Sequence, residues 1–236
     1  MNSKIILAAD STATVASVAL RRGGETLGEY FVNAGSTHSV TLLPMIEHLL
    51  KSCGITADDV DIFAVSQGPG SFTGVRIGAA VIKGLAFKDE KPCVGVSTLE
   101  ALAYNLSGLE GIICPCMNAR RGQVYTAVFR GDGKGVERLT EDMAFSIDEL
   151  SQTLSDYSEK IYFCGDGYPL VEKLTGTVTP ENLRRQNAAS VAAVAEKIYN
   201  RSEDKTFHPD ALVPTYLRRP QAERERLERL KAENND

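Results

Sequence analysis

The chain has 236 residues, of which 43% are hydrophobic and 24% are charged, a composition typical of a globular protein with one or two domains. Its formal net charge of −5 argues against a nucleic-acid-binding protein that acts alone through a broadly basic surface. The five cysteines stand in apolar settings, as buried thiols do in a reducing compartment. With neither a signal-peptide pattern nor an apolar run long enough to span a membrane, the sequence predicts a cytoplasmic protein.

Hydrophobic patterning in the first part of the chain predicts three strands, followed by helices alternating with strands. Ser97 and Glu100 fit a capping box that opens the last of these helices. The pattern indicates a mixed sheet with helices packed on it. The predicted elements are, in order, strand 4–9, strand 15–20, strand 28–33, helix 39–53, strand 62–66, helix 72–87, strand 93–97 and helix 97–106.

The pattern then restarts, which predicts a second lobe of similar kind. Its elements are expected at 111–118 (strand), 123–129 (strand), 146–154 (helix), 161–164 (strand) and 190–199 (helix). Because no long linker separates the halves, we expect two abutting lobes, at residues 1–106 and 107–219. Residues 220–236 form a charged tail, in which opposite charges three and four residues apart would support an exposed helix. A frayed, solvated tail is favoured over a helix that docks on a partner.

A glycine-rich loop precedes the helix at 72–87, in the segment Ser66–Gly78 (SQGPGSFTGVRIG). A strand, a glycine loop and a helix N-terminus together present free backbone N–H groups and a positive dipole end, as phosphate sites do. This arrangement keeps a stand-alone ATP-binding kinase or transferase among the alternatives. However, the turn after the first strand, from Asp10 to Thr14, has no glycine that would let the backbone wrap a phosphate. Asp10 therefore fits a turn cap better than a metal-phosphate ligand.

Two helices carry more apolar surface than one sheet needs to cover. The helix at 39–53 has an apolar arc of roughly 160° and the helix at 72–87 is apolar or small nearly all round. An ordinary core helix and a partner interface both explain this surface. Gly74, Gly78 and Gly84 would allow close approach of another backbone. If a partner covers this surface, Gly78→Arg or Ala79→Glu is expected to abolish pairing and leave the monomer folded.

Three arginine pairs, at 120–121, 184–185 and 218–219, are the candidates for a local basic patch in this acidic chain. Each pair is more typical of a solvated surface than of a binding surface. The loop from Asn118 to Gly122 fits a polar hairpin turn, and a contact with a partner or with RNA is left open.

Four motifs occur in a characteristic order: HSVTLLP (38–44), SQGPGSFTGVRIG (66–78), NARRGQVY (118–125) and ALVPTYLR (211–218). This series resembles the bacterial TsaB (YeaZ) family, whose members belong to the biosynthesis of threonylcarbamoyladenosine in tRNA. The resemblance covers the chain from the first strand to about Arg218. It implies an α/β actin-like (ASKHA) fold of two ribonuclease-H-like lobes, with mixed sheets flanked by helices.

The resemblance also implies a non-catalytic dimerisation subunit, one that pairs with the transferase TsaD, joins TsaE in a larger complex and forms a homodimer when alone. That complex forms N6-threonylcarbamoyladenosine at position 37 of tRNAs that read codons beginning with A, and tRNA is reached only through the complex. No cofactor is expected for this chain alone, and ATP or ADP at the seam with TsaD is left open. The interface residues expected on the two helices are His38, Leu42, Met45, Ile46, Leu49, Phe72, Gly74, Val75, Gly78, Ala79 and Ile82.

No catalytic or metal-binding set is expected in this chain. The TsaD relatives use two histidines spaced HxxxH, whereas here His38 is followed by Leu42, and His48 and His208 lie elsewhere. A zinc peptidase would need three converging ligands, and a serine hydrolase would need a Gly-x-Ser-x-Gly elbow, which Gly70–Gly74 does not supply. A purely structural self-dimer differs from the main interpretation only in its partner.

Overall fold

The structure, a computed structural model, describes residues 3–203 and 207–218, so the charged tail at 220–236 lies outside the described residues. Short 3₁₀ turns occur at Ala57–Asp59 and Pro209–Ala211. The strands are β1 (Ile5–Asp10), β2 (Ala16–Arg22), β3 (Glu25–Val32), β4 (Ile62–Gly68), β5 (Cys93–Ser97), β6 (Glu110–Arg120), β7 (Gln123–Thr126), β8 (Phe129–Asp132), β9 (Val136–Arg138), β10 (Met143–Ser146), β11 (Ile161–Cys164) and β12 (Thr177–Val178). The helices are α1 (His38–Ser52), α2 (Phe72–Phe87), α3 (Thr98–Tyr104), α4 (Ile147–Leu154), α5 (Tyr168–Val171), α6 (Glu181–Arg184) and α7 (Ala188–Arg201).

The two sheets repeat one topology. The first has the order β3-β2-β1-β4-β5, and the second contains the order β10-β7-β6-β11-β12, with β8 and β9 added alongside β6. In each sheet the first two pairings are antiparallel and the last two are parallel. The restart expected from the sequence is therefore confirmed, and this duplication is the α/β fold of two ribonuclease-H-like lobes that the resemblance implied.

Besides its pairing with β11, strand β6 pairs with two strands in succession, which explains one difference from the predicted elements. Its first part pairs with β8 and its last part pairs with β7. The stretch expected to be one strand at 123–129 is therefore divided into β7 and the start of β8, with Ala127 and Val128 buried between them. Strands β9, β10 and β12 and helices α5 and α6 are short elements that the patterning did not predict.

The capping box expected at the start of α3 is only half formed. Ser97 Oγ accepts from the backbone N–H of Glu100 at 3.3 Å, as a helix cap should. The Glu100 carboxylate does not return to Ser97 but lies 3.4 Å from the Arg138 guanidinium, and Ser97 Oγ donates to Asp142. Glu100 thus pairs with Arg138 on β9 instead of accepting a hydrogen bond from the backbone N–H of Ser97, which would have completed the capping box.

Helices cover both faces of the first sheet. Helices α1 and α2 pack on one face, against alternate residues of β1, β2 and β4 such as Leu7, Val18 and Phe63. Helix α7 packs on the opposite face, against the intervening residues such as Ile6 and Ala64. The face that carries α1 and α2 therefore positions the candidate interface.

The end of the chain returns to the first sheet. Helix α7 packs on β1, β2, β4 and β5, and the Cys93 N–H donates to Phe207 O at 2.7 Å. The expected division assigned residues 107–219 to the second lobe, whereas α7 and Phe207 pack on the first sheet and residues 212–218 contact both lobes. The reason is that without α7 the second face of the first sheet would leave its apolar residues in water.

No helix in residues 3–203 or 207–218 is long and apolar enough to cross a bilayer. Helix α2, although the most apolar by composition, has 16 residues and therefore falls short of the length that a span needs.

Burial makes four of the five thiols unreactive in the folded chain. Cys93, Cys114, Cys116 and Cys164 are buried and Cys53 is half-buried. Burial raises the pKa of Cys93 to about 11 and raises the pKa of Cys164 further, so neither is a thiolate at neutral pH.

With Ellman's reagent at pH 8 we expect one fast thiol, Cys53, and four more only after unfolding in guanidinium. A second fast thiol in the native chain would contradict this burial pattern.

Candidate functional site

The candidate partner surface lies on α1 and α2, but the structure places most of the expected interface residues inside the chain's own core. His38 and Phe72 are half-buried. The other nine are buried: Leu42, Met45, Ile46, Leu49, Gly74, Val75, Gly78, Ala79 and Ile82. These nine form the inner sides of the helices, so direct contact with a partner falls to other residues. A partner interface on α1 and α2 stays a prediction.

Close packing within the chain explains two of the glycines in α2. A Cβ at Gly74 would overlap the carbonyl oxygen of Ser11, and one at Gly78 would lie 2.7 Å from Ser11 Oγ and 3.1 Å from Val65 Cγ2. The backbone that approaches closely is thus the turn after β1. Gly78→Arg and Ala79→Glu are therefore expected to disrupt the fold of the monomer, which corrects the expectation that such variants would leave it folded.

The outer side of α2 carries a continuous stripe of small and apolar residues, which we call the α2 stripe. Nothing lies within 4 Å of a Cβ added at Gly84, and Phe87 is 61% exposed. The spacing alternates between four and three residues, which is the spacing of a coiled-coil seam. The α2 stripe consists of Thr73, Ile77, Ala80, Gly84 and Phe87.

Helix α1 adds exposed apolar residues beside this stripe. Val40 is 68% exposed and Leu43 is 41% exposed, and α1 packs next to α2 on the same face of the sheet. An apolar surface made by two adjacent helices is typical of a protein interface rather than of a solvated face. The signal for it was present in the sequence, since α2 is apolar on both sides, but the pattern alone did not say which side faces the core.

A cleft of about 620 Å³ lies between the lobes, and the glycine loop forms part of its wall. At its base the turn after β1 and the glycine loop touch each other. The Ser71 N–H donates to Thr12 O at 2.6 Å, and Ser11 Oγ donates to Gly74 O at 2.9 Å. One of the N–H groups at the start of α2 is therefore already used within the chain.

Asp10 is a structural cap, as its sequence context indicated. Its carboxylate is fully buried and accepts from the Thr12 N–H and Thr12 Oγ1, both at 2.8 Å, and from Ser66 Oγ. Burial raises the pKa of Asp10, and these three hydrogen bonds oppose the shift. Because all of these donors are internal, Asp10 does not line the interlobe cleft.

Two of the three histidines make local structural contacts. His38 Nε2 donates to Ala13 O at 2.7 Å, which ties the start of α1 to the turn after β1. His208 Nδ1 accepts from the Asp210 N–H at 3.2 Å, within the 3₁₀ turn near the end of the chain. In the part of the chain that the structure describes, no group of three or more His, Cys, Asp or Glu side chains is arranged to hold a metal ion.

A C-terminal strap, residues 212–218, connects the lobes across the cleft. The Thr215 N–H donates to Gln67 O at 2.7 Å, and Arg218 Nη1 donates to Ala119 O at 3.1 Å. The Tyr216 ring lies 4.6 Å from the Phe72 ring, and Arg76 Nε donates to the Tyr216 hydroxyl at 2.8 Å. Phe72 is thereby used inside the chain as well, and the patterning gave no signal for this cluster.

Two sheets of the same topology, joined around a cleft with a glycine loop at its base, define an actin-like α/β protein. Comparison with known proteins agrees with this class. The model of the family described as "TsaD: tRNA N6-adenosine threonylcarbamoyltransferase" matches residues 32–226.

Relatives place the chain more narrowly. It is 31% identical over 236 residues to the tRNA threonylcarbamoyladenosine biosynthesis protein TsaB of Bacillus subtilis (strain 168), covering 96% of this chain and 99% of that protein. It is 31% identical to the TsaB of Escherichia coli (strain K12), covering 90% and 94%. YeaZ from Pseudomonas aeruginosa superposes with a TM-score of 0.77 at 26% identity, covering 91% of this chain and 100% of that one. The chain belongs to the TsaB family, within the broader TsaD family.

Proposed function

We propose that this chain is a non-catalytic subunit in the formation of N6-threonylcarbamoyladenosine in tRNA, and that it supports a TsaD-like transferase by pairing with it. The name of the family supports the pathway. The observation that carries the role is the α2 stripe, with Val40 and Leu43 beside it, because it is an exposed apolar surface on two adjacent helices.

The contacts around Asp10 and the glycine loop favour a non-catalytic role for this chain over catalysis. Asp10, the acid that a stand-alone ATP-dependent enzyme would place on a metal-bound phosphate, is buried and uses its oxygens on Ser66 and Thr12. The turn after β1 lies against the glycine loop through the Ser71–Thr12 hydrogen bond, where a phosphate would otherwise be held. His38 is likewise engaged with Ala13.

The chemistry of the α2 stripe indicates the kind of partner that fits it. Small residues at Ala80 and Gly84 allow another helix to approach closely, and Phe87 offers an apolar anchor at the end. The partner should therefore present a helix, or a pair of helices, with a complementary apolar seam. We assign this role to TsaD, with a second copy of the chain as the partner when TsaD is absent and TsaE as a further member of the complex. We propose no cofactor for the chain alone and leave ATP or ADP to the seam with TsaD.

Mixing the chain with the TsaD of the same organism tests this proposal. On gel filtration with light scattering we expect a heavier species that contains both chains, and no threonylcarbamoyl transfer by this chain without TsaD. Absence of association, together with ATP binding by the isolated chain, would overturn the proposal in favour of an independent enzyme.

Substitution in the stripe tests the surface itself. Ala80→Arg and Gly84→Arg each place a long charged side chain at an exposed position, and nothing lies within 4 Å of a Cβ added at Gly84. We expect the dissociation constant for TsaD to rise at least about 100-fold, because a buried unpaired charge costs several kcal/mol. The matched control is Gln152→Arg, an exposed position on α4. Equal affinity of the stripe variants and the control would place the interface elsewhere, provided that all variants keep the wild-type thermal midpoint.

A further inference from the structure

Arginine pairs that lie far apart in the sequence meet along one side of the interlobe cleft. Arg120 and Arg218 both line this cleft, and Arg218 Nη1 bonds the carbonyl oxygen of Ala119, the neighbour of Arg120. The third pair lies nearby at the end of α6, since the N–H of Gly165, the neighbour of the cleft residue Asp166, donates to Arg184 O at 2.7 Å. Arg219, the last member of the pairs, lies outside the described residues.

Asp166 links the third pair to the other two. Its carboxylate lies in the cleft wall and accepts from the Asn118 N–H at 3.4 Å, while the positive charge of Arg185 acts on it. Burial raises the pKa of Asp166. Glu181, whose side chain is exposed, forms an i,i+4 pair with Arg185 at 2.9 Å. We call Arg120, Arg121, Arg185 and Arg218 the arginine rim.

The turn between β6 and β7 places two members of the rim at its tip. Arg120 and Arg121 have φ of 62° and 55°, followed by Gly122 at 71°. Non-glycine residues rarely adopt this left-handed conformation, and glycine or asparagine would adopt it at lower cost. Both arginines are exposed at the tip. The chain thus keeps two cations at positions where the backbone would favour other residues.

Aromatic side chains lie beside the rim in the same cleft. Phe72, Tyr125 and Tyr216 line it; the Phe72 ring contacts Arg76 and the Tyr216 ring, and Tyr216 is 40% exposed. Cations that follow a groove, together with an exposed aromatic residue, are features by which proteins bind the backbone and the bases of single-stranded RNA regions. An acidic peptide would use the cations but would have no need for the aromatic faces.

We propose that the arginine rim binds RNA phosphates, so that this chain contributes its own contacts to the RNA within the complex. The proposal rests on the proposed function for the RNA that is bound, and it goes beyond the expectation that RNA is reached only through the partner. Because the net charge of the chain is −5, four arginines close to one edge of the cleft would give that edge a local positive potential, which would orient the chain toward a polyanion.

The test uses the assembled complex with TsaD and a fluorescein-labelled tRNA transcript, with anisotropy measured between 50 and 300 mM KCl. A plot of the log of the association constant against the log of the salt concentration has a negative slope. Each lost phosphate contact should reduce the magnitude of this slope by about 0.7, and therefore weaken binding about five-fold at 0.1 M salt. We expect these losses for Arg218→Ala, and for Arg120→Ala/Arg121→Ala a slope change of about 1.4 with about 25-fold weaker binding. The Arg120→Lys/Arg121→Lys variant should recover most of the affinity, because it keeps the charge.

Arg130→Ala is the matched control. Arg130 is an exposed arginine that pairs with Glu159 and stands opposite Ile112, about 26 Å along β6 from Arg120. An unchanged salt slope in all rim variants, or an equal change in the control, would overturn the proposal. Displacement of the tRNA by a poly-glutamate peptide at equal charge concentration would also overturn it, in favour of an acidic protein partner.

Light scattering of the same samples separates the two proposals. If the complex assembles but its RNA affinity does not depend on the rim, only the RNA contact fails. If the complex does not assemble, the proposed function fails, and the rim is then measured with the isolated chain, where the same loss of salt slope is expected and its absence would refute the RNA contact.

Discussion

Replacing Gly74 with alanine is expected to destabilise the chain by at least about 3 kcal/mol, although alanine is the better helix former. The added Cβ would overlap the carbonyl oxygen of Ser11, which is backbone and cannot rotate away. Helix α2 would have to move from the turn after β1, and that movement would break the hydrogen bonds that Ser11 and Thr12 make with the start of α2. Urea unfolding followed by circular dichroism measures the change.

Gly84→Ala in the same helix is the control for this substitution. Nothing lies within 4 Å of the added Cβ, so the change should stabilise the chain by about 0.5 to 1 kcal/mol through helix propensity alone. The two variants are therefore expected to move in opposite directions. A Gly74→Ala protein that unfolds at the wild-type urea concentration would mean that the turn and α2 are not in contact as described.

The second large effect is expected for Asp10→Ala. Removing the carboxylate leaves the Thr12 N–H, Thr12 Oγ1 and Ser66 Oγ without their acceptor inside a fully buried site. Unsatisfied buried donors of this kind cost about 1 to 3 kcal/mol each, so a loss of about 3 to 5 kcal/mol is expected. Thr14→Ala, in the same turn, should change the free energy of unfolding by less than about 1 kcal/mol.

The same site should leave a signature in the pH dependence of stability. The pKa of Asp10 is raised above its ordinary value of 3.8, so the folded state favours the protonated form. Its contribution to stability is then complete below pH 3.8 and is lost as the pH rises through the folded-state pKa. Asp10→Asn cannot titrate, so the stability difference between wild type and this variant should shrink as the pH rises. A difference that grows with pH would show that the hydrogen bonds, not burial, determine the pKa.

Local structure was largely predictable because its signals are local. The bounds of α2 and β5 coincide with those expected from the sequence, since Ser71 caps α2 through the Gly74 N–H and apolar runs mark the strand. The repeated order of strands and helices also indicated the duplicated topology. Short strands such as β9 and β12 carry too few residues for a periodic signal, so only pairing partners identify them.

The candidate site was less predictable, because its geometry depends on contacts between distant residues. The sequence showed that α2 is apolar on both sides, but only the packing against Ser11 and Val65 shows which glycines face inward. Arg218 donates a hydrogen bond to Ala119, which lies 99 residues earlier in the sequence, and the local sequence pattern around neither residue predicts this contact. The role of Asp10, in contrast, was predictable from the sequence, because the absence of glycine from the turn after β1 indicated a residue that caps the turn.

The packing of α7 has a consequence for how the chain is made. Helix α7 covers one face of the first sheet but leaves the ribosome after the whole second lobe. Until then, the short helix α3 contributes Ala101 and Tyr104 to the cluster around Ile6, Ala64 and Val94, but the cover that α7 supplies is missing, so the first lobe cannot complete its core while it is being synthesised. The two lobes consequently reach their final stability together. A fragment that stops after α3 contains all five strands of the first sheet but lacks α7 on one face, so it is not an independent domain.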